Sequence, residues 1–376
     1  MKKLWKRRST QVVLSSLLIG GLLGGACGAS VASSTSTMAA HGNVRRLAAP
    51  AVALAINGGR VAYSVGNVFV WNARTGKTTR VSSVLGSKGE VIELALAGSH
   101  VAWLSNAFGN TESDDYLFTN SVARPKERLV ATDVRVGEVC GAGGDNRTLP
   151  SRCAGKWLGG VVASGTRILV DRWRTTHSAS ITHAGLYALN ETRFKKVAGG
   201  AGTIEAVAAD PKHVVALPPD GTIGLYSNTG KPLANLMPSG RAERIALSGR
   251  NLVVLEPHGK LAVYDSQTGA ARKTFALHGD PDQLLGRALA VQGNIAVYAT
   301  PARFARNTAG ESVVSQSEVR ALNLTSGTDR AVGTLPGQII LARIDSVALA
   351  YANTGNGWGP NQLVVLPYKR VAADVR

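Results

Sequence analysis

Residues 51–83 read AVALAINGGRVAYSVGNVFVWNARTGKTTRVSS. They divide into four apolar runs, 51–56, 60–65, 67–72 and 78–83, parted by Asn57-Gly58-Gly59, by Gly66 and by the Thr75-Gly76 turn. Runs of this length, rich in Val and aromatic residues and bounded by Gly, Asn or Thr, predict an antiparallel meander of four strands.

Two landmarks of this unit recur along the chain. The second run, ArgValAlaTyr after Gly59, returns as SerHisValAlaTrp after Gly98, ThrArgIleLeuVal after Gly165, LysHisValValAla after Pro211, ArgAsnLeuValVal after Gly249, AsnIleAlaValTyr after Gly293 and SerValAlaLeuAlaTyr after Asp345. The third run and its turn return from Val68, Leu129, Leu186, Ile223, Leu261, Val319 and Leu363. An Asn or Asp at the start of the turn bonds its own backbone, and a Gly about four residues later supplies a positive φ. The two series alternate from residue 51 to 366. That period predicts an all-β fold, a seven-bladed β-propeller of four-stranded antiparallel blades over residues 44–376. The last unit has strands at 338–343, 347–353 and 362–367. Its outer strand comes either from 43–48, which would lock the ring, or from 368–372.

The turn Tyr264-Asp265-Ser266-Gln267-Thr268-Gly269 resembles those of the quinoprotein-like and WD-repeat propellers of secreted bacterial proteins. In the quinoprotein pattern a Trp follows the Gly by four residues, a place held here by Arg80 and Lys273. The resemblance therefore implies a fold and no cofactor residue, and no cofactor is expected.

The chain has 376 residues, 44% of them hydrophobic, with 14 Pro, which is enough apolar material for a sizeable core and excludes wholesale disorder. Residues 1–27 carry Lys2, Lys3, Lys6, Arg7 and Arg8, an apolar run from Val12 to Leu23, and then Gly24-Gly25-Ala26-Cys27, the layout of a bacterial export signal. The apolar run is shorter than the roughly 20 residues of a membrane span. Its end resembles a lipoprotein signal, which implies lipidation at Cys27; ordinary cleavage after Ala29 or within Val31-Ala32-Ser33 is the alternative. Residues 28–43 are small and polar and read as a tether. The location expected is thus the cell envelope, through a lipid anchor, or the extracellular space. The leader supplies five positive charges and no acid, so the formal +18 falls to about +13 in the body, which favours anionic surroundings. Cys140 and Cys153 bracket a Gly-rich stretch, and in an oxidising compartment they are expected to form a disulfide.

The connections between second and third strands are expected to be long in units two (105–128), three (172–185), six (300–318) and seven (352–361). In a meander these open on one face of the ring, where function is displayed. Arg172, Trp173 and Arg174, with His177 and His183, form the densest group of donors and aromatic surface there, and Trp358 and Phe304 face it across the ring. These residues are the expected ligand site. Glu112, Asp114 and Asp115 are acidic but lack the Gly and distal Glu of a calcium loop, so no metal site is expected. No metalloprotease helix motif, nucleophile elbow or phosphate loop is present. The function expected is a non-catalytic binding or interaction module, with an envelope protein or an anionic polymer as partner. The alternative is a propeller lyase or glycan hydrolase with its site in the long loops. The export signal disfavours nucleic acid as partner.

Overall fold

The first described strand belongs to the last sheet. In the computed structural model of the protein, the described residues are 42–82, 89–108, 113–132, 134–136, 154–175, 181–199, 206–217, 222–229, 231–238, 242–279, 288–355 and 358–376. Strand β1 (Asn43–Arg46) is followed by blade 1, β2 (Ala53–Asn57), β3 (Arg60–Val65), β4 (Asn67–Asn72) and β5 (Thr78–Arg80). Blade 2 is β6 (Glu90–Ala97), β7 (His100–Phe108), β8 (Ser113–Ser121) and β9 (Arg128–Thr132). Blade 3 has β10 (Val134–Val136), β11 (Ala154–Ser164), β12 (Arg167–Thr175), β13 (Ile181–Asn190) and β14 (Arg193–Gly199). Blade 4 is β15 (Ala206–Ala209), β16 (His213–Leu217), β17 (Ile223–Ser227) and β18 (Pro232–Leu236). Blade 5 is β19 (Arg244–Ser248), β20 (Asn251–Glu256), β21 (Lys260–Asp265) and β22 (Ala271–Ala276). Blade 6 is β23 (Ala290–Gln292), β24 (Ile295–Arg306), β25 (Ser312–Asn323) and β26 (Asp329–Pro336), and blade 7 is β27 (Gln338–Ile344), β28 (Ala348–Thr354) and β29 (Gln362–Pro367). The sheets are antiparallel, and the seven of them make a seven-bladed β-propeller.

The outer strand of blade 7 is β1, which pairs antiparallel with β29 from Asn43↔Val365 to Arg46↔Gln362. Residues 368–374 form instead a short helix, α1 (Tyr368–Asp374), whose Val371 joins the core between blades 6 and 7. Arg45 closes the ring with its side chain as well. Its guanidinium lies 6.0 Å from the ring centroids of Tyr63 and Trp71 in blade 1 and donates to Thr78 Oγ1 at 2.8 Å. Burial raises the Tyr63 phenol above its ordinary range, and Arg45 opposes that rise.

The core is a ring of seven clusters, one at each blade boundary. Val68, Val91 and Trp103 lie between blades 1 and 2, for example, while Leu54, Tyr63, Leu341 and Leu363 lie between blades 1 and 7. The alternation along each strand sends odd and even residues to opposite neighbours, so both faces of every blade are apolar.

Turn chemistry follows the repeat. Asn72, Asp265 and Asn323 each accept two backbone N–H groups on Oδ1, and Gly76, Gly269 and Gly327 close these turns with φ of 72°, 72° and 81°. A second device, absent from the sequence reading, sits at the end of the innermost strand. Asn57 Oδ1 accepts from Gly98 N–H (3.3 Å), Asp210 Oδ2 from Gly249 N–H (2.7 Å) and Ser248 Oγ from Gly293 N–H (2.9 Å), each in the next blade.

Blade 2 departs from the expectation. Leu129 lies on the fourth strand, β9, and the third strand is β8, within the 105–128 stretch that the sequence predicts to be a long loop. Its start, Ser113-Asp114-Asp115, pairs with Phe108, Ala107 and Asn106, so the acidic residues belong to a ladder rather than a turn. Their charge hides the strand, while Tyr116, Leu117 and Phe118 secure it.

Candidate functional site

The two faces of the ring differ. Strands one and two of each blade, and strands three and four, are joined by short turns on one face; the connections between strands two and three open on the other. On that second face the expected long loops of blades 2, 3 and 6 are largely continuations of the strands themselves. The β7–β8, β12–β13 and β24–β25 strands stay paired out to Phe108↔Ser113, Thr175↔Ile181 and Arg306↔Ser312, with register shifts at Arg172–Arg174 in the second pair and at Pro301–Phe304 in the third. These are hairpins standing out of the ring, and the described residues of the blade 7 connection, 355 and 358–361, lie outside any strand.

Blade 3 holds the residues Arg172, Trp173 and Arg174 on β12. Lys156 and Trp157 of β11 pair with Arg174 and Trp173, and β10 adds a further strand along the edge of this extension. Arg172 is held by packing: its guanidinium lies 4.0 Å from the centroid of Phe194 and 5.4 Å from that of Tyr187. Burial lowers its pKa from the ordinary arginine range, and the Tyr187 hydroxyl opposes this. Trp173 is half-buried and Arg174 is exposed. His183 adopts a left-handed backbone (φ 55°), and its carbonyl accepts from Tyr187 Oη at 2.7 Å. His177, Cys27, Cys140, Cys153 and Glu112 lie outside the described residues.

Close by, β11 carries a bulge between Leu158 and Val161. Val161 N–H donates to Glu93 Oε2 of blade 2 at 2.8 Å. A Cβ on Gly159 would collide with Asp171 Oδ2, so that position needs glycine. Two carboxylates from neighbouring blades thus approach Gly159-Gly160 from two sides. The innermost strands of all seven blades enclose a channel of about 370 Å³, apolar except for Glu93, Arg244 and Arg343. Glu93 and Arg244 stand at one level, each four residues before the first turn of its blade.

Among the described residues, blades 6 and 7 carry two exposed aromatic side chains on this face. Phe304, on the blade 6 hairpin, is 48% exposed, and Trp358, in the blade 7 loop, is 40% exposed. The hairpin tip is tied by Asn307, whose Oδ1 accepts from Ala309 and Glu311 N–H and whose Nδ2 donates to Glu311. At its base, Arg320 bonds Glu318 and Asp329 (3.0 Å each), and Tyr298 Oη donates to Asp329 at 2.5 Å. The blade 7 loop is pinned by Asn353, which donates to the carbonyl of Pro336 and accepts from Gln362 N–H. A Cβ on Gly359 would sit 2.7 Å from Pro336 Cγ, so the loop lies against the end of β26.

Among the expected site residues, Arg172, Trp173 and Arg174 therefore share one strand, while Trp358 stands three blades away around the ring, in the blade beside that of Phe304. Sequence reasoning placed all of them on one face but missed the adjacency of blades 6 and 7; the Pro336-Gly337 junction between them was the available signal. Among the described residues no group of three or more His, Cys, Asp or Glu is placed to hold a metal. The fold and this face define a seven-bladed propeller with one elaborated side. No family model matches the chain, and no curated protein matches it.

Proposed function

We propose that the protein is an exported, envelope-associated propeller that works as a non-catalytic binding or interaction module through the face bearing the hairpins. The observation that carries this reading is the one-sided elaboration: plain turns on one face, and standing hairpins with exposed Phe304 and Trp358 on the other. The closing strand adds a direction. Because Asn43 pairs with Val365, near the end of β29, the chain leading into β1 reaches the ring at the plain face. A lipid at Cys27 would hold the protein at the membrane through the 28–43 tether. The likeness of the turns to quinoprotein-like propellers of secreted proteins agrees with this setting.

The test is co-purification from whole cells after mild crosslinking, comparing the full chain with a variant in which residues 302–315 are replaced by Asn-Gly. Partners held by the full chain and lost from the trimmed but folded variant support the reading; equal recovery overturns it.

A second reading, a lyase or glycan hydrolase, draws on Glu93 and Asp171 beside Gly159-Gly160, since glycan hydrolysis uses a pair of carboxylates. It requires that E93Q abolish a measurable cleavage.

A further inference from the structure

We infer that the blade 6 hairpin and the blade 7 loop dock a carboxylated polysaccharide, with Phe304 and Trp358 as stacking platforms and Arg303 and Arg306 as carboxylate receptors. This deepens the binding-face reading above and rests on it.

The charges around the hairpin favour an anion. Arg303 and Arg306 are exposed and have no ion-pair partner among the described residues. The neighbouring acids are already engaged, Glu311 with Asn307 Nδ2 at 2.9 Å, Glu318 with Arg320 at 3.0 Å, and Asp329 with Arg320 and Tyr298. Arg303 and Arg306 thus face solvent with no ion pair of their own among the described residues, while Glu318 and Asp329 are drawn to Arg320. A guanidinium presents a planar fork that matches a carboxylate with two hydrogen bonds.

Register supplies the spacing. Arg303 pairs with Gln316, and Gln316 pairs with Pro336, so Arg303 and Pro336 lie two strand spacings apart, about 10 Å. Gly359 rests on Pro336, which sets Trp358 on the far side of that interval from Phe304. The two aromatics are therefore separate platforms on rigid supports, with Arg303 and Arg306 on the strand that carries Phe304. They do not form a joined apolar patch of the size that protein or lipid docking uses. An extended chain with a ring at every unit and an acid on many of them meets both features: ring faces stack on aromatic faces, and acids pair with arginines.

The test titrates the folded full chain with labelled polygalacturonate, with dextran as the uncharged polymer and poly-L-glutamate as the acid without sugar rings. The expected result is binding to polygalacturonate in preference to both. R303E/R306E should weaken it at least about ten-fold and F304A/W358A about three- to ten-fold, the scale of one or two lost contacts. R193E/K195E, on the outer strand of blade 3, should leave it within about two-fold. Equal binding of poly-L-glutamate, an acidic peptide in place of a glycan, overturns the inference, as does indifference to F304A/W358A. Equal loss in R193E/K195E, which would mark general charge attraction, overturns it too, and so does no binding at all. If partners recovered in the cell experiment are still lost from the trimmed variant, the binding-face reading survives any of these failures; if they are not, both fall.

Discussion

Asp265 shows how one side chain fixes a repeated turn. It is buried, which pushes its carboxyl pKa up, but hydrogen bonds from Gln267 and Thr268 N–H and from Arg250 outweigh that and hold it below the ordinary range. A carboxyl whose folded value is lowered stabilises above its unfolded value, about 4, and loses that contribution as pH falls through the folded value. D265N keeps the Oδ1 acceptor and loses the charge. It should be less stable than the parent at pH 7, with the gap closing below about pH 4 in an acid unfolding series. Ser248 belongs to the other device, the bond from one blade to the next. S248A should lower unfolding free energy by about 1 kcal/mol, because Gly293 N–H is left without its acceptor; denaturant melts of the single variant check this. Asn57 repeats the arrangement, so N57A should behave likewise, while D210A should cost more, because Asp210 Oδ1 also accepts from Lys212 and His213 N–H. These inter-blade bonds escape a sequence reading. The residue before the turn is Asn, Asp or Ser for reasons that exist only once the next blade is alongside.

Among the elements, β1 and the β24–β25 hairpin make opposite predictions. Strand β1 covers the outer edge of β29 and sends Arg45 onto Tyr63, Trp71 and Thr78, so it joins blades 7 and 1. A chain beginning at Leu47 should lose the cooperative transition and aggregate through the bared edge of β29. R45A alone should cost about 1–2 kcal/mol, from one hydrogen bond and the contact with two ring faces. Beyond Ser317 the hairpin is tied to the next blade through Ser315, whose carbonyl accepts from Gly337 N–H at 2.8 Å. Replacing residues 302–315 with Asn-Gly should therefore cost about 1–2 kcal/mol, the scale of one lost hydrogen bond, and leave the fold cooperative. Melting curves of both variants separate a structural element from a displayed one. The same contrast explains what could be read in advance. Asn or Asp followed by Gly is a local signal, and it marks the ends of the third strands of blades 1, 5 and 6, at Asn72, Asp265 and Asn323. The β8 strand was hidden by Asp114 and Asp115. The 303–306 and 312–316 stretches, RFAR and SVVSQ, carry paired apolar residues between polar ones and no period of two, so the sequence reads as loop there. The choice between β1 and residues 368–372 as the closing strand depends on pairing across more than 300 residues, which no local pattern encodes.

At the scale of the whole molecule, seven apolar clusters at seven boundaries make each blade dependent on two neighbours, and this frees one face to vary. The chemistry of Arg172-Trp173-Arg174 was legible as composition, but the fate of Arg172 was set by the pairing of β12, β13 and β14, which brings Phe194 and Tyr187 beneath it. The exposed aromatics of blades 6 and 7 became a single candidate surface only through the ring. The central claim is that this face, and not the plain one, meets the partner. It is tested most directly by placing a photo-crosslinking amino acid in living cells at position 304, position 358 or position 347, the last being exposed on the plain face. The account predicts crosslinked adducts from 304 and 358 and none from 347; adducts from 347 alone, or equal adducts from all three, would contradict it.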